Sequence, residues 1–283
     1  MTPREEEFNR KWESLGFSSD FIFGKVMQDR ELCEELLRVI LPDIEIGHVD
    51  FPEKQKTISE GVDIHGVRLD IFTRDDLGRL FNMEMEGRRR RYLVKRTRGY
   101  HIQIGMNAMD REQMKTYDDL PDTYVIFICD FDPFGLGRHI YSFRSCCKED
   151  PTLELEDGAY TIFLNACGTM DDVSPKLKAF LDFVRGNISD DPLVRKLDAR
   201  VRKAKQNPDW RREFMTLSMM MNEEREEGRA EGREEGRAEG REEGRAEGRA
   251  EGREEERQAI RDRLIAGGMT PQEAAMYTGL LRN

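Results

Sequence analysis

The sequence lacks the features that mark membrane-spanning, secreted and zinc-binding proteins. In 283 residues, no apolar run approaches the about 18 residues of a membrane-spanning helix. The opening residues do not form a signal-peptide pattern. The five cysteines include no Cys-x-x-Cys pair, and an odd number without metal-binding spacing indicates reduced thiols. We therefore expect a cytoplasmic protein.

Acidic residues outnumber basic ones overall, but basic residues are concentrated locally. The net charge is −11, which by itself argues against nucleic acid as a partner. Residues 223–257 supply −6 of that charge, because they hold fifteen Glu and nine Arg. The segment from Arg88 to Arg98, in contrast, holds seven basic residues and no acidic one. A local basic cluster can bind phosphate in an acidic chain, so nucleic acid remains a candidate partner.

Composition divides the chain into three segments. Residues 1–215 are long enough to bury a sizeable core. Residues 216–258 carry a glycine every fourth residue from Gly228 to Gly252, each between Glu and Arg. Each glycine costs a helix about 1 kcal/mol, so we expect a polar spacer that is helical when a neighbour supports it. Residues 259–283 predict a small helical hairpin, and this C-terminal region is a candidate device for forming a homo-oligomer.

A β-hairpin at residues 62–88 is the strongest local pattern. Apolar residues alternate with polar ones on both sides of an Asp-Asp-Leu-Gly turn. The two apolar faces coincide only if Ile71 pairs with Met83 and Leu69 with Met85. That register leaves a three-residue loop ending in Gly78, where such loops favour a left-handed residue.

The same register brings acidic side chains together. It places Asp70 opposite Glu84, and Arg68 opposite Glu86. At about 5 Å and an effective dielectric constant near 20, two carboxylates repel by roughly 3 kcal/mol. A shared proton, a nearby cation or a divalent metal would offset this cost. A metal on paired carboxylates is a common catalyst of phosphodiester hydrolysis.

The remaining patterns predict a mixed α/β sheet flanked by helices. Asp20 and Asp29 are expected to cap helices, and residues 92–109 predict a helix with Val94, Ile102, Ile104 and Met106 at its apolar positions. Residues 123–129 form an apolar run that is typical of a central strand. Two shorter strands are predicted at 139–143 and 160–164, and helices from Ser174 onwards. Asp130 and Asp132 favour a turn over a metal site.

These elements resemble, in their order, the core of the PD-(D/E)xK nucleases, and more closely its branch of recombination-promoting nucleases or nuclease-family transposases. The resemblance covers nearly the whole chain, including the charged glycine repeat and the ending around Gly268. No single motif is specific for the family. The matching stretches are Asp20-Phe21-Ile22-Phe23, Arg68-Leu69-Asp70-Ile71, Phe81-Asn82-Met83-Glu84-Met85-Glu86, Arg96-Thr97-Arg98-Gly99-Tyr100, Tyr124-Val125-Ile126-Phe127-Ile128 and Ile162-Phe163-Leu164-Asn165.

The resemblance implies a restriction-endonuclease-like fold and a metal-dependent DNA endonuclease that promotes recombination. Asp70, Glu84 and the Met85 carbonyl would hold Mg²⁺, with Mn²⁺ as a substitute, and Glu86 would be a further ligand or the general base. The predicted phosphate-binding residues are Arg88, Arg91, Lys95 and Arg98. Further candidates for the site are Glu34, or its neighbour Glu35, with Tyr100 and Gln103.

One departure from the family keeps a second hypothesis open. The superfamily usually has Lys two residues after the Glu, and this branch usually has Gln, whereas this chain has Glu86. An Arg68–Glu86 salt pair in place of the lysine would indicate a catalytically degenerate fold that only binds nucleic acid or protein. The sequence also does not distinguish DNA from RNA. For Tyr100 and His101 ordinary packing is the alternative, and for Glu34 a solvated helix face.

Overall fold

A computed structural model describes residues 3–58, 67–111 and 116–279. The chain divides into two compact units, Met1–Met215 and Thr216–Asn283. All five cysteines are free thiols. Within the described ranges, no helix combines the length and the apolar character that crossing a membrane requires.

The first unit is built on a six-stranded mixed sheet. Its strands are β1 (Glu53–Ile58), β2 (Val67–Arg74), β3 (Leu80–Glu86), β4 (Thr123–Cys129), β5 (Ile140–Phe143) and β6 (Ala159–Asn165), in the order β1-β2-β3-β4-β6-β5. The β1, β2 and β3 strands are antiparallel, β3, β4 and β6 are parallel, and β5 runs antiparallel to β6. The predicted restriction-endonuclease-like α/β fold is thereby confirmed.

The hairpin of β2 and β3 has the predicted register, with Ile71 paired to Met83. Its loop comprises the three residues between Asp75 and Arg79, whose backbones are hydrogen-bonded at 3.1 Å. Gly78 has φ +83°, in the left-handed region that a side chain disfavours. The Asp75 carboxylate also accepts the N–H groups of Leu77 and Arg79, which fixes the loop. Part of the 62–88 stretch, residues 62–66, lies outside the described residues.

Helix α4 (Leu93–Arg111) covers one face of this sheet. Its inner side carries Leu93, Tyr100, Ile104 and Ala108, which pack on a core that includes Phe127. The apolar positions predicted for this helix were wrong except for Ile104, because the other three are exposed: Val94, Ile102 and Met106. Because α4 lies over it, β3 is buried on both faces.

The remaining helices of the first unit are α1 (Pro3–Ser14), α2 (Asp20–Val26), α3 (Arg30–Ile40), α5 (Pro175–Val184), α6 (Pro192–Gln206) and the start of α7 (Pro208–Ala266). Helix α2 contacts β1, β2 and β3. Asp29 caps α3 as predicted, by accepting the Leu32 N–H at 3.2 Å. The expectation for Asp20 was wrong, since Ser19 occupies the cap position and Asp20 lies in the first turn.

The charged glycine repeat is part of one uninterrupted helix, α7, of 59 residues. Its glycines have open space around the position of a Cβ atom. Helix α7 ends before Gly268, which has φ +99°. Helix α8 (Pro271–Tyr277) follows, with the predicted capping box between Thr270 and Glu273.

We predict opposite effects for two glycine substitutions. Gly78→Ala should lower the free energy of unfolding by about 1–2 kcal/mol, because a side chain strains the left-handed conformation. Gly105→Ala, in open space within α4, should raise it by up to about 1 kcal/mol through helix propensity. Urea unfolding of both variants measures this, and equal effects at the two positions would contradict the structure of the loop.

Candidate active site

Side-chain alternation places three acidic residues on the sheet face beneath α4. Asp70 comes from β2, and Glu84 and Glu86 come from β3, where successive side chains point to opposite faces. Phe127 of β4 is paired with Glu84 and lies on the same face. Glu84 and Glu86 are only 3% and 6% exposed. Their charges must therefore be compensated by protein groups or bound ions.

Asp70 and Glu84 hold each other in place through their backbones. The Asp70 N–H donates to Glu84 Oε1 at 3.0 Å, and the Met85 N–H donates to Asp70 Oδ2 at 3.1 Å. Asn82 Nδ2 donates to the same Glu84 oxygen at 3.0 Å. The two carboxylates thus lie side by side across the hairpin, as the register predicted.

Two residues from α4 complete the cluster. Arg96 donates to Glu86 at 2.6 Å and to Glu84 Oε2 at 3.2 Å, so its guanidinium bridges the two carboxylates. The Tyr100 hydroxyl donates to Glu84 Oε2 at 3.0 Å and accepts from Arg96 at 2.5 Å. The Tyr100 ring stacks on Phe127, 5.9 Å between centroids, which fixes its position on the sheet.

Burial and charge shift the pKa values of this cluster. Burial, followed by repulsion from Asp70, raises the pKa of Glu84 to about 8, although hydrogen bonds from Asp70 and Asn82 and the charge of Arg96 oppose the shift. Burial would lower the pKa of Arg96, but Tyr100, Glu84 and Glu86 raise it above its usual value. Burial and the charge of Glu84 raise the pKa of the Tyr100 hydroxyl.

The donor set fits a hard divalent cation. No cluster of three or more His, Cys, Asp or Glu side chains in metal-binding positions occurs among the described residues. Mg²⁺, however, is usually held by one or two carboxylates, with water and substrate phosphates as its other ligands. Asn82 Oδ1 supplies one more oxygen, because it is buried and has no hydrogen-bond partner in the described part of the chain.

The predicted phosphate-binding residues lie around the acidic cluster, on the surface. Arg88 and Arg91 follow the end of β3, and Lys95 and Arg98 lie on the outer side of α4; all four are exposed. Gln103 is half-buried on the same helix. In the described part of the chain, no hydrogen bond or ion pair joins Arg88, Arg91, Lys95 or Arg98 to Glu84 or Glu86.

Glu34 belongs to a different cluster. Its carboxylate accepts the Val49 N–H at 3.0 Å and pairs with Arg30 and Arg38, each at 3.3 Å. Val49 in turn forms an isolated antiparallel β-bridge with Asp75, beside the hairpin loop. Glu34 therefore lies near the loop end of the hairpin, where Asp75 is five residues after Asp70 in sequence. The neighbouring Glu35 pairs with Lys196 at 2.7 Å.

Other candidate residues have structural contacts. Asp132 accepts the N–H groups of Phe134, Gly135 and Gly137, as expected for a turn. His101 bonds the hydroxyls of Thr123 and Thr161 at 2.8 and 2.9 Å, away from the acids. The Arg68 side chain lies outside the described residues, and Glu86 pairs with Arg96 and, at 3.4 Å, with Arg90.

Sequence reasoning missed two residues of this site. The sequence does not distinguish Arg96 by charge, because Arg88, Arg91, Lys95 and Arg98 are also basic. Among the basic residues that the structure describes, Arg96 is the one that pairs with Glu84. A signal was available, because Arg96 and Tyr100 are four residues apart and lie on one side of a helix. Asn82 gave no comparable signal, since it alternates with apolar residues like any polar strand residue.

The mixed sheet flanked by helices is a restriction-endonuclease-like α/β fold, and paired acids lie on two of its adjacent strands beneath a helix that supplies an arginine and a tyrosine. Residues 17–165 match the family model of the PD-(D/E)XK nuclease family transposases, which is more than half of the chain. The chain belongs to this family and has a nuclease-like function. Nucleases of this superfamily generally use divalent metal ions. No curated protein and no solved structure gives a significant match.

The raised pKa of Glu84 predicts a pH-dependent stability in the absence of metal. Below pH about 4.5 this carboxyl is protonated in both the folded and the unfolded chain. As the pH rises from there through about 8, the unfolded chain has lost the proton that the folded chain retains. The contribution of Glu84 to stability should therefore fall over this range.

Melting temperatures in EDTA between pH 5 and 9 measure this effect. The wild type should lose stability relative to Glu84→Gln as the pH rises, because the amide has no charge to bury. Glu35→Gln, which removes a half-buried carboxylate of α3 that pairs with Lys196, is the control for removing a carboxylate. Parallel profiles of the wild type and Glu84→Gln would show that Glu84 does not titrate in this range.

Proposed function

We propose that the protein is a metal-dependent DNA endonuclease whose cleavage promotes recombination or a transposition-like reaction. The single observation that supports this most strongly is the pairing of half-buried Asp70 with buried Glu84 across the hairpin. A nuclease that hydrolyses a phosphodiester needs an anionic site for a cation beside a cationic group for the phosphate. Asp70 and Glu84 provide the former, and Arg96 provides the latter.

Asp70, Glu84 and the Met85 carbonyl are the proposed ligands of Mg²⁺ or Mn²⁺, with Asn82 as an additional oxygen donor. When bound, the ion supplies Lewis-acid activation of the phosphate and lowers the pKa of attacking water. The protein's own contribution is to fix the two carboxylates through the reciprocal backbone hydrogen bonds of Asp70 and Met85. This rigidity holds the ligand oxygens ready before substrate arrives.

Arg96 is proposed to supply the positive charge that a lysine supplies elsewhere in the superfamily. Its guanidinium bridges Glu84 and Glu86, beside one of the proposed metal ligands, and a guanidinium is well suited to binding phosphate oxygens. Glu86 lies two residues after Glu84 and pairs with this guanidinium at 2.6 Å. This contact favours a role of Glu86 in positioning Arg96. A role of Glu86 as general base or further ligand remains part of the proposal and is tested by Glu86→Gln.

The exposed basic residues are proposed to hold the nucleic-acid backbone. Arg88 and Arg91 leave the sheet beside Glu86, and Lys95 and Arg98 extend the positive surface along α4. Such contacts give affinity that falls with salt and carries little sequence information. They leave the acidic cluster to the cation and to the phosphate that is cleaved.

Plasmid nicking with Mg²⁺ or Mn²⁺ tests the reaction. Asp70→Ala and Glu84→Ala should both reduce nicking to the level of a reaction without metal, because each removes one of two side-chain ligands. Glu35→Ala, which removes a carboxylate that pairs with Lys196 outside the acidic cluster, should nick like the wild type. Equal nicking by all four proteins would mean that the activity comes from another site or from a contaminant.

A charge exchange tests the role of Arg96. Arg96→Ala should reduce nicking by about 10²- to 10³-fold, the usual cost of one group that stabilises developing charge. Adding Glu86→Lys to Arg96→Ala should restore part of the activity, because it places a cation two residues after Glu84. Arg144→Ala, an exposed arginine paired with Glu154, is the control. Wild-type nicking by Arg96→Ala would exclude the proposed role.

A second candidate function is a degenerate nuclease fold that binds nucleic acid without cleaving it. The ion pairs of Glu86 with Arg96 and Arg90 favour it, because they neutralise Glu86 without a metal. Titration calorimetry separates the two functions. Mg²⁺ or Mn²⁺ binding that is lost in Asp70→Ala supports the nuclease, and DNA binding without any metal binding supports the degenerate fold.

A further inference from the structure

A cleft of about 220 Å³ opens on the same sheet face as the acidic cluster. Its floor includes Phe72 and Leu80, and Ile104 and Asn107 of α4 form one wall. Phe72 lies two residues along β2 from Asp70, about 7 Å at the rise of a strand. The cleft is therefore adjacent to the candidate active site and separate from it.

The rim of the cleft combines an aromatic ring with acidic side chains. Phe51 is 77% exposed, an unusual position for a large apolar ring. Asp50 and Glu53, on either side of it in sequence, are also exposed and line the cleft with Arg74. Among the described side chains of the rim, the Asp50 and Glu53 carboxylates are groups that accept hydrogen bonds.

Size narrows the chemical class of the ligand. Pockets for drug-sized ligands have volumes of about 300–1,000 Å³, so this cleft suits a single planar ring system. An aromatic side chain at such a cleft offers a stacking surface for an unpaired base. Carboxylates accept hydrogen bonds from the exocyclic amino group of cytosine, and asparagine side chains pair with adenine.

The two ends of β3 differ in charge. The cleft lies at its first residue, Leu80, beside Asp50 and Glu53, and the basic run from Arg88 follows its last residue, Glu86. These ends are about 20 Å apart at the rise of a strand. A nucleic-acid strand on the surface between these two ends could keep its phosphates at the basic run and place a base in the cleft.

We propose that this cleft binds an unpaired base with an exocyclic amino group, next to the phosphate that is cleaved. Phe51 stacks on the base, and Asp50, Glu53 and Asn107 bind its edge. The orientation of the strand rests on the proposed nuclease function, whereas binding of the base does not require cleavage. The enzyme would accordingly act where strands are unpaired and prefer particular bases beside the cut.

Fluorescence anisotropy of the full-length protein in EDTA tests this without cleavage. The probes are fluorescein-labelled single strands of equal length, made of deoxycytidine, of thymidine, or of abasic sites that retain every phosphate. The wild type should bind the deoxycytidine strand at least about 5-fold more tightly than the thymidine strand, since thymine lacks the amino group. It should bind the abasic strand most weakly.

Phe51→Ala should weaken binding of the deoxycytidine strand by roughly 5- to 100-fold, the usual effect of removing one stacking ring. Its affinity for the abasic strand should match that of the wild type. Phe51→Trp should bind like the wild type, which controls for the contact between Phe51 and Arg30, 5.9 Å from the ring centre. Leu77→Ala, an exposed apolar residue in the hairpin loop, is a second control.

The asparagine and the acids provide an independent arm. Asn107→Ala and the double variant Asp50→Asn, Glu53→Gln should each reduce the preference for deoxycytidine over thymidine. The proposal is overturned if Phe51→Ala binds the deoxycytidine strand like the wild type, if it weakens the intact and abasic strands equally, or if the wild type does not distinguish cytosine from thymine. Base preference without plasmid nicking would refute the nuclease and retain the base site.

Discussion

The charges of three acids beneath α4, two of which are buried, must be compensated, and this need constrains the rest of the first unit. Asp70, Glu84 and Glu86 share one face of the sheet beneath α4, where an unpaired carboxylate would cost several kcal/mol. Backbone N–H groups and Asn82 satisfy part of this demand, and the rest falls on Arg96 and Tyr100. Helix α4 must therefore dock in the one register that places these two side chains over Glu84. This requirement explains why a helix rich in basic residues covers the central strands.

The parts of the fold that depend on alternation and turn chemistry could be predicted. The Ile71–Met83 pairing and the loop at Gly78 follow from a period of two and from the conformational freedom of glycine. The central position of β4 follows from an apolar run without polar positions. Each of these features is decided within a few residues, so no knowledge of the tertiary structure was needed.

The orientation of α4 could not be predicted by the same rules. Val94, Ile102 and Met106 suggested an apolar inner face, but they are exposed, while Arg96 and Tyr100 point inward. A hydrophobic pattern assumes that the surface beneath a helix is apolar, and here part of it is acidic. Nor does such a pattern distinguish Arg96 from the basic residues around it, because its partners Glu86 and Glu84 lie on a strand ten and twelve residues earlier.

The charge balance of the site connects its structure to its chemistry. Within the described part of the chain, the guanidiniums of Arg96 and Arg90 pair with Glu84 and Glu86, and burial followed by repulsion from Asp70 raises the pKa of Glu84, so that it retains a proton. A divalent cation would replace that proton and add positive charge that attracts the phosphate of a nucleic acid. Glu86 in place of a lysine is consistent with this balance, since Arg96 brings the missing positive charge from α4. The positive charge beside Glu84 therefore comes from helix α4, and not from the strand position two residues after Glu84.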